Sequence, residues 1–575
     1  MSEVKPRIER LRAAFSADGF DVPEEQVVLY RGRIGMRAVH RTAADYESGA
    51  PKTAFYVEGS PFEMGYLLGR LAEPEIARMT ELFIDRVFRA MIREAMSGER
   101  MDYTGTKGPK VVSMHGLLIA LVRDMIRARH VLADVPVRFH QEIRGIVAGC
   151  KEAARPEHRT TAVTEGELWV LNAGLDCVLS RMYTGVMLPA PLRPKDLWLP
   201  IACNGFAILN GAAAEGPLFG RDFMFPTGGI FHEVVAHIIY RPDLDRREGP
   251  ACPFVALTAP GIVGAVAGMN DAGVAGGVNM TVGGNCDPSR PGFNSLLLLR
   301  DAIERATHIE GAVQRMLDAR RGVTWSYLLS GAGEGGRPDR ACVVEAGASM
   351  EDVPFLEYPS ERIRPLLPDE AFLEAHRSAE LVRGAMVRWD GYRVPEEYLE
   401  FNAGLCDRFH RSVRPAAFGS RGRINRTPSD RNCPGGYYFA PPRGRPREVL
   451  LATNHFVIPE MRLCSMAPWA NRMFRARLND SQWRYDELNH RILSQLERDG
   501  PIGFDGARGL LSFLSPDGEF PDYYRLNPTS SDGRERLIFG SLSLFDLKRR
   551  TVESRYGWYP DPWVRIQLPN YLVDE

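Results

Sequence analysis

Charge of either sign is missing in excess: 72 Lys and Arg against 73 Asp and Glu leave a formal net charge of −1 over 575 residues. That balance creates no global field to gather nucleic acid or an anionic membrane surface, so neither is expected as a partner. Cysteine is sparse and unpatterned. Nine are scattered along the chain with no CxxC pair, which argues against a disulfide framework and a zinc site. Long apolar runs are also absent. The weakly polar stretch 261–280 is broken by Asn270 and Asp271 and is rich in Gly, so no membrane span is expected. The start, Met1-Ser2-Glu3-Val4-Lys5-Pro6, lacks the apolar stretch of a secretory signal, and a cytoplasmic location is the expectation.

Several motifs fail on closer reading. His232 and His237 stand five apart rather than four, in a segment that reads as strand, so they do not share a helix face around a metal. The glycines of 331–336 are followed by Arg337-Pro338-Asp339 and a strand instead of a helix, which makes them a hairpin turn and not a dinucleotide loop. The arginines between 408 and 447 are interleaved with Pro, Gly and acids and read as a solvated loop. No GxSxG elbow occurs. Neither a cofactor nor a metal is expected.

What is present is ordinary globular composition, 44% hydrophobic and 25% charged, in a chain long enough for two or more packed units. Residues 7–15 form a charged helix by pattern. A short strand ends at Gly59, Ser60, Pro61 and Glu63 then carry the cap, first-turn proline and capping-box acid of a helix start, and Gly65 and Gly69, four apart, would let that helix lie close to a neighbour. Apolar residues recur at three and four over 77–96, 114–130, 135–150 and 168–179, so the first two hundred residues are mostly α. After Cys203 the texture turns to β, with strands at 234–241, 254–258, 261–266, 273–282, 324–330, 341–345, 448–453, 541–547 and 552–556. Helices are expected at 296–317, 370–388, 396–409, 472–478 and 483–496. Short strands flanked by helices without a βαβ rhythm indicate an α+β layered fold.

The chain is organised around Cys203-Asn204-Gly205-Phe206-Ala207 and the returning strand Leu218-Phe219-Gly220-Arg221-Asp222-Phe223, joined by a Gly- and Ala-rich turn. A Cys at the head of a strand with an Arg-Asp pair carried back beside it can hold a thiolate near a cation. A buried core Cys and a local Arg-Asp ion pair are the plain alternative.

These pieces, in order, resemble the isopenicillin-N acyltransferase-like branch of the N-terminal-nucleophile (Ntn) hydrolases. The resemblance rests on Gly59-Ser60-Pro61-Phe62-Glu63-Met64-Gly65 running on to Gly69, Cys203-Asn204-Gly205, Phe219-Gly220-Arg221-Asp222, and the segment from Gly268 through Asn270 and Gly273 to Asn279. It continues through Ala452-Thr453-Asn454-His455-Phe456 and closes at Phe545-Asp546-Leu547. It implies a four-layer αββα sandwich and a precursor that cuts itself between Ala202 and Cys203. Residues 1–202 would become a mostly helical pro-segment or small chain, and 203–575 the catalytic region beginning with its nucleophile.

By the same resemblance Cys203 is the nucleophile, Arg221 the arginine beside it, and Asn279 and Asn454 the polar groups around the oxyanion and substrate. A freed α-amine, with an ordinary pKa of about 7.7–8.0, can act as base for its own thiol. Asn279 and Asn454 also suit strand-end turns. Two positions depart from the family's pattern: Asn204 stands where Thr is usual, and Met224 where an Asp normally holds the nucleophile's amine. Asp222, two residues earlier, either takes over that task or does not. The expected function is a self-activating Cys hydrolase or acyltransferase that breaks or forms an amide through a Cys203 thioester. Its partners would be a small-molecule acyl amide, amine or acyl thioester, with homo-oligomerisation left open. The alternatives are an uncut, non-catalytic binding protein and an ester or lysophospholipid hydrolase on the same fold.

Overall fold

A computed structural model describes residues 4–41, 51–83, 120, 122–126, 130–153, 163–186, 203–225, 230–243, 251–349, 368–398, 400–401, 448–466, 468–512, 537–558 and 561–572. The expected helix at 114–130 lies largely outside these residues, as do most of those at 77–96 and 396–409; Ala202 and the arginine-rich stretch up to 447 lie wholly outside them.

The strands, in chain order, are β1 (Phe20–Asp21), β2 (Val27–Tyr30), β3 (Arg33–His40), β4 (Thr53–Gly59), β5 (Asn204–Ile208), β6 (Leu218–Met224), β7 (Ala236–Pro242), β8 (Phe254–Thr258), β9 (Ala267–Asn270), β10 (Val274–Met280), β11 (Trp325–Gly331), β12 (Arg340–Ala346), β13 (Leu381–Val382), β14 (Ala385–Trp389), β15 (Val449–Ala452), β16 (Leu537–Asp546), β17 (Thr551–Trp558) and β18 (Val564–Gln567). They form a twelve-stranded sheet, ordered β1-β3-β4-β7-β8-β9-β10-β11-β12-β14-β13 with β2 on β3, and a six-stranded sheet, β15-β5-β6-β16-β17-β18. The β4–β7 pair is parallel.

Strand alternation sorts the side chains into layers. Ala207, Phe219 and Phe545 of the smaller sheet meet Ala275, Leu328 and Val343 of the larger one in a core between the sheets. The opposite face of the smaller sheet, with Phe206, Ile208 and Leu544, is covered through Tyr485, Leu488 and Leu510 of two later helices. The outer face of the larger sheet, with Val278, Tyr327 and Val344, packs on Leu67, Ile143, Leu171 and Met316. The fold is α+β, and the layers run αββα.

The helices used below are α1 (Val4–Ala17), α2 (Pro61–Leu71), α3 (Val137–Ala153), α4 (Glu165–Thr184), α5 (Ser295–Arg305), α6 (Ile309–Asp318), α7 (Pro468–Asp499) and α8 (Phe504–Leu511). α2 opens with the expected capping box, in which Ser60 accepts from Glu63 N while the Glu63 side chain takes the Ser60 amide. Its glycines are forced by close approach: a Cβ on Gly65 would lie 2.1 Å from Glu142 O of α3, and one on Gly145 would lie 2.2 Å from Phe62 O.

Local pattern misled the sequence reading in several places. The segment before Cys203 contributes, besides the strand expected to end at Gly59 (β4), three strands that were not foreseen, β1–β3, to the larger sheet as well as helices. The helix expected over 296–317 is two: the first ends at Arg305, where Ala306 turns extended, and His308 caps the second through Nδ1, which accepts from Gly311 N at 3.1 Å. Only Glu370–Ala375 of 370–388 is helical; Arg383 and Gly384, with φ of 48° and 76°, then turn the β13–β14 hairpin. The strand placed at 261–266 begins at Ala267, the helices of 472–478 and 483–496 are one continuous α7, and β18 had no forecast.

Candidate active site

Sheet register brings the site together. β5 and β15 pair with Gly205 opposite Ala452, so two more residues along each strand place Asn454 beside Cys203. β5 and β6 pair with Asn204 opposite Asp222 and Gly205 opposite Arg221. Cys203 is buried, and its backbone N–H donates to Asn454 Oδ1 at 2.8 Å. Its thiol donates to the carbonyl oxygen of Met224 at 3.6 Å, so at this position the backbone rather than the side chain faces the sulfur. The Met224 side chain packs instead in the apolar layer beneath α7 and α8.

Asn454 has its amide orientation fixed by its partners. Oδ1 accepts from Cys203 N and from Arg484 Nη2 at 2.9 Å, Nδ2 donates to Met280 O at 2.8 Å, and its own N–H donates to Ser481 Oγ at 2.9 Å. Ser481 Oγ also lies 2.7 Å from His455 Nδ1. Burial pulls the His455 pKa well below its ordinary value, so the ring is a neutral partner. Beyond it Glu345 accepts from the N–H groups of Val457 and Ile458, both at 3.0 Å, and anchors the chain as it leaves the site.

Arg484 had no place in the sequence reading. From α7 its Nη1 donates to Cys203 O at 2.7 Å and to Asn204 Oδ1 at 2.6 Å. A signal existed: Tyr485, Leu488 and Ile492 form the buried stripe of α7, and Arg484 lies on that face as a charge among apolar residues.

The other expected residues divide. Arg221 is buried, and its guanidinium donates to the backbone carbonyls of Asn204, Asp222 and Val278, which ties β6 to β10. Gly277 makes room for it, since a Cβ there would lie 2.7 Å from Arg221 Cδ. Asp222 shares a sheet face with Leu218 and Met224 and accepts from Asn204 Nδ2 at 2.8 Å through Oδ2, while Oδ1 has no partner among the described residues. Its route to Cys203 thus runs through Asn204 and Arg484. Burial pushes Asp222 up to about 7, against the pull of the Asn204 hydrogen bond and the Arg221 and Arg484 charges. Asn279 donates to Thr453 O at 3.2 Å, and its Oδ1 has no partner among the described residues.

Cys203 lines a cavity whose wall is mainly apolar, including Leu171, Phe223, Phe225, Phe231, Ile262 and Trp325. Val278 and Met280 reach this wall, whereas Asn279, between them on β10, does not. Among the described residues no cluster of His, Cys, Asp or Glu could hold a metal ion, and no helix is long and apolar enough to cross a membrane.

No protein-family model matches the chain. An uncharacterized protein of Archaeoglobus fulgidus is 26% identical over 524 residues, which is 90% of this chain and 66% of that protein. The chain therefore spans a little under two thirds of that relative's length. Three solved structures are similar at low identity. The Caenorhabditis elegans ortholog of N-acylethanolamine-hydrolyzing acid amidase is 11% identical, with 60% of this chain and 93% of that one covered and a TM-score of 0.28. A mutant of conjugated bile acid hydrolase from Clostridium perfringens is 9% identical, with 64% and 92% covered and a TM-score of 0.29. Penicillin V acylase from Agrobacterium tumefaciens is 11% identical, with 64% and 79% covered and a TM-score of 0.26.

Proposed function

We propose that the protein is a cysteine Ntn-type hydrolase or acyltransferase, of the isopenicillin-N acyltransferase-like kind, that activates itself by cutting between Ala202 and Cys203. The observation that carries this reading is the double hold on Cys203: Asn454 Oδ1 takes its backbone N–H and Arg484 takes its carbonyl, while the residue lines an apolar cavity. A core cysteine has no need of side chains fixing both its amide and its carbonyl.

In self-cleavage the Cys203 sulfur attacks the Ala202 carbonyl carbon, the C–N bond breaks with a proton passing to nitrogen, and a thioester forms. Water then releases an Ala202 carboxylate and leaves Cys203 with a free thiol and α-amine. In turnover that amine, held by Asn454 Oδ1, takes the thiol proton. The thiolate attacks a small-molecule amide, the amine product leaves protonated, and the second thioester passes its acyl group to water or to an amine. Asn454 and Arg484 position the nucleophile. Asp222 acts at one remove, through Asn204, as the counter-charge to the buried arginines. Asn279 braces Thr453 beside Asn454.

Intact mass of freshly purified protein, beside a Cys203→Ala control, tests the reading. Two fragments divided at 202/203 in the parent and one full-length mass in the control are expected. A single full-length mass in both sinks the self-processing mechanism and favours a non-catalytic binding protein.

A further inference from the structure

The cavity beside Cys203 contains a charge that the chemistry above leaves unused. Asp176, on α4, lines it together with Ser295 and Trp325. Its carboxylate is buried and accepts only from neutral donors: Oδ2 from Ser295 N at 2.7 Å, and Oδ1 from Ser295 Oγ at 2.9 Å and Trp325 Nε1 at 3.0 Å. Among the described residues no Lys, Arg or His pairs with it. Neutral hydrogen bonds stabilise a carboxylate without cancelling its charge, and in an apolar wall that charge is less screened toward a guest than it would be in water. A carboxylate entering the cavity would lose its water and also meet a like charge; an ammonium would lose its water and gain an attraction.

We propose that Asp176 is a specificity-determining residue, which makes this cavity accept apolar amides whose buried group is neutral or ends in an ammonium and refuse those that end in a carboxylate. This rests on the cavity at Cys203 being the substrate site. Burial pushes Asp176 up to about 6, so above neutral pH it carries its charge.

The test uses the full Cys203→Ala chain, which binds without turning over. Calorimetry at about pH 8 compares phenylacetamide with its 4-carboxy and 4-aminomethyl derivatives, which are charged oppositely at that pH. Phenylacetamide is expected to bind, and the ammonium ligand to bind at least about tenfold tighter than the carboxylate. Adding Asp176→Asn, with folding verified by its thermal transition, is expected to bring the two charged ligands within about threefold. A difference below about tenfold in the Asp176 chain overturns the proposal, and that comparison needs no second variant to fold. So does failure of phenylacetamide to bind, or a preference that survives Asp176→Asn in folded protein. Loss of self-cleavage with the charge preference intact would count against the proposed function alone.

Discussion

Arg484→Met is the sharpest perturbation of the site. The guanidinium holds Cys203 O, Asn204 Oδ1 and Asn454 Oδ1 at 2.7, 2.6 and 2.9 Å from a buried position on α7. Methionine keeps much of the volume and the apolar stem but removes all three donors. A buried acceptor that loses its donor costs about 1–3 kcal/mol, and more when the donor was charged. Removing a buried cation from its network therefore puts the loss of stability at about 3–5 kcal/mol. If about 3 kcal/mol of this falls on the geometry of the Cys203 carbonyl and amide, self-cleavage slows by about 150-fold, since each 1.36 kcal/mol is a factor of ten. The assay is the time course of full-length chain converting to fragments, followed by intact mass, with denaturant unfolding of the same samples. Arg484→Lys retains the charge but cannot serve three acceptors with a planar fork, so it should fall between parent and Met. Processing within about threefold of the parent, with unfolding unchanged, would refute Arg484 as the residue that holds the nucleophile.

Two further outcomes follow from the packing and from burial. Gly65→Ala forces a Cβ to 2.1 Å from Glu142 O, and separating α2 from α3 should cost about 3 kcal/mol in denaturant unfolding; an unchanged midpoint would contradict the close helix approach. Asp222, pushed up from 3.8 to about 7 mainly by burial, holds its proton more tightly folded than unfolded. Its contribution to stability is therefore fully present below about pH 4 and is lost as the pH rises through about 7. Parent protein should lose stability relative to Asp222→Asn over that window, and a difference that is flat or rises with pH in paired unfolding curves would show that Asp222 is ionised throughout.

Much of the frame was legible because it is written locally. The 204–224 hairpin has alternating side chains and a Gly-rich turn, the start of α2 has its capping box, and the spacing of Gly65 and Gly69 matches a helix approach that the structure makes through facing glycines on α3. What escaped depends on distant parts of the chain. β4, the short strand expected to end at Gly59, pairs with β3 and also lies parallel to β7, far along the sequence, so the larger sheet that holds β1–β4 is not visible from the local pattern. A consequence is that cleavage at 202/203 would not release the segment before it, because β4 stays hydrogen-bonded within the sheet built after the cut. Arg484 is separated from Cys203 by 281 residues, and its position on the buried stripe of α7 sets it apart from Arg491 and Arg498, whose side chains reach solvent.

The same distinction between local and distant information bears on the departures at Asn204 and Met224. Read along the strand, they are two separate mismatches, one after the nucleophile and one where a carboxylate is missing. In the sheet they belong to one cluster. Asn204 lies opposite Asp222 and donates to its carboxylate, while its own oxygen accepts from Arg484, which also holds the Cys203 carbonyl. A threonine hydroxyl would have to donate and accept from one atom, whereas asparagine places its donor and its acceptor on separate atoms, one toward Asp222 and one toward Arg484. An Asp at 222 needs such a bridge because the chain of contacts from its carboxylate to Cys203 passes through the Asn204 side chain. The counter-charge near Cys203 is therefore set by the pair of residues at 204 and 222 together, with Arg484 as the cation that links them to the backbone of the nucleophile.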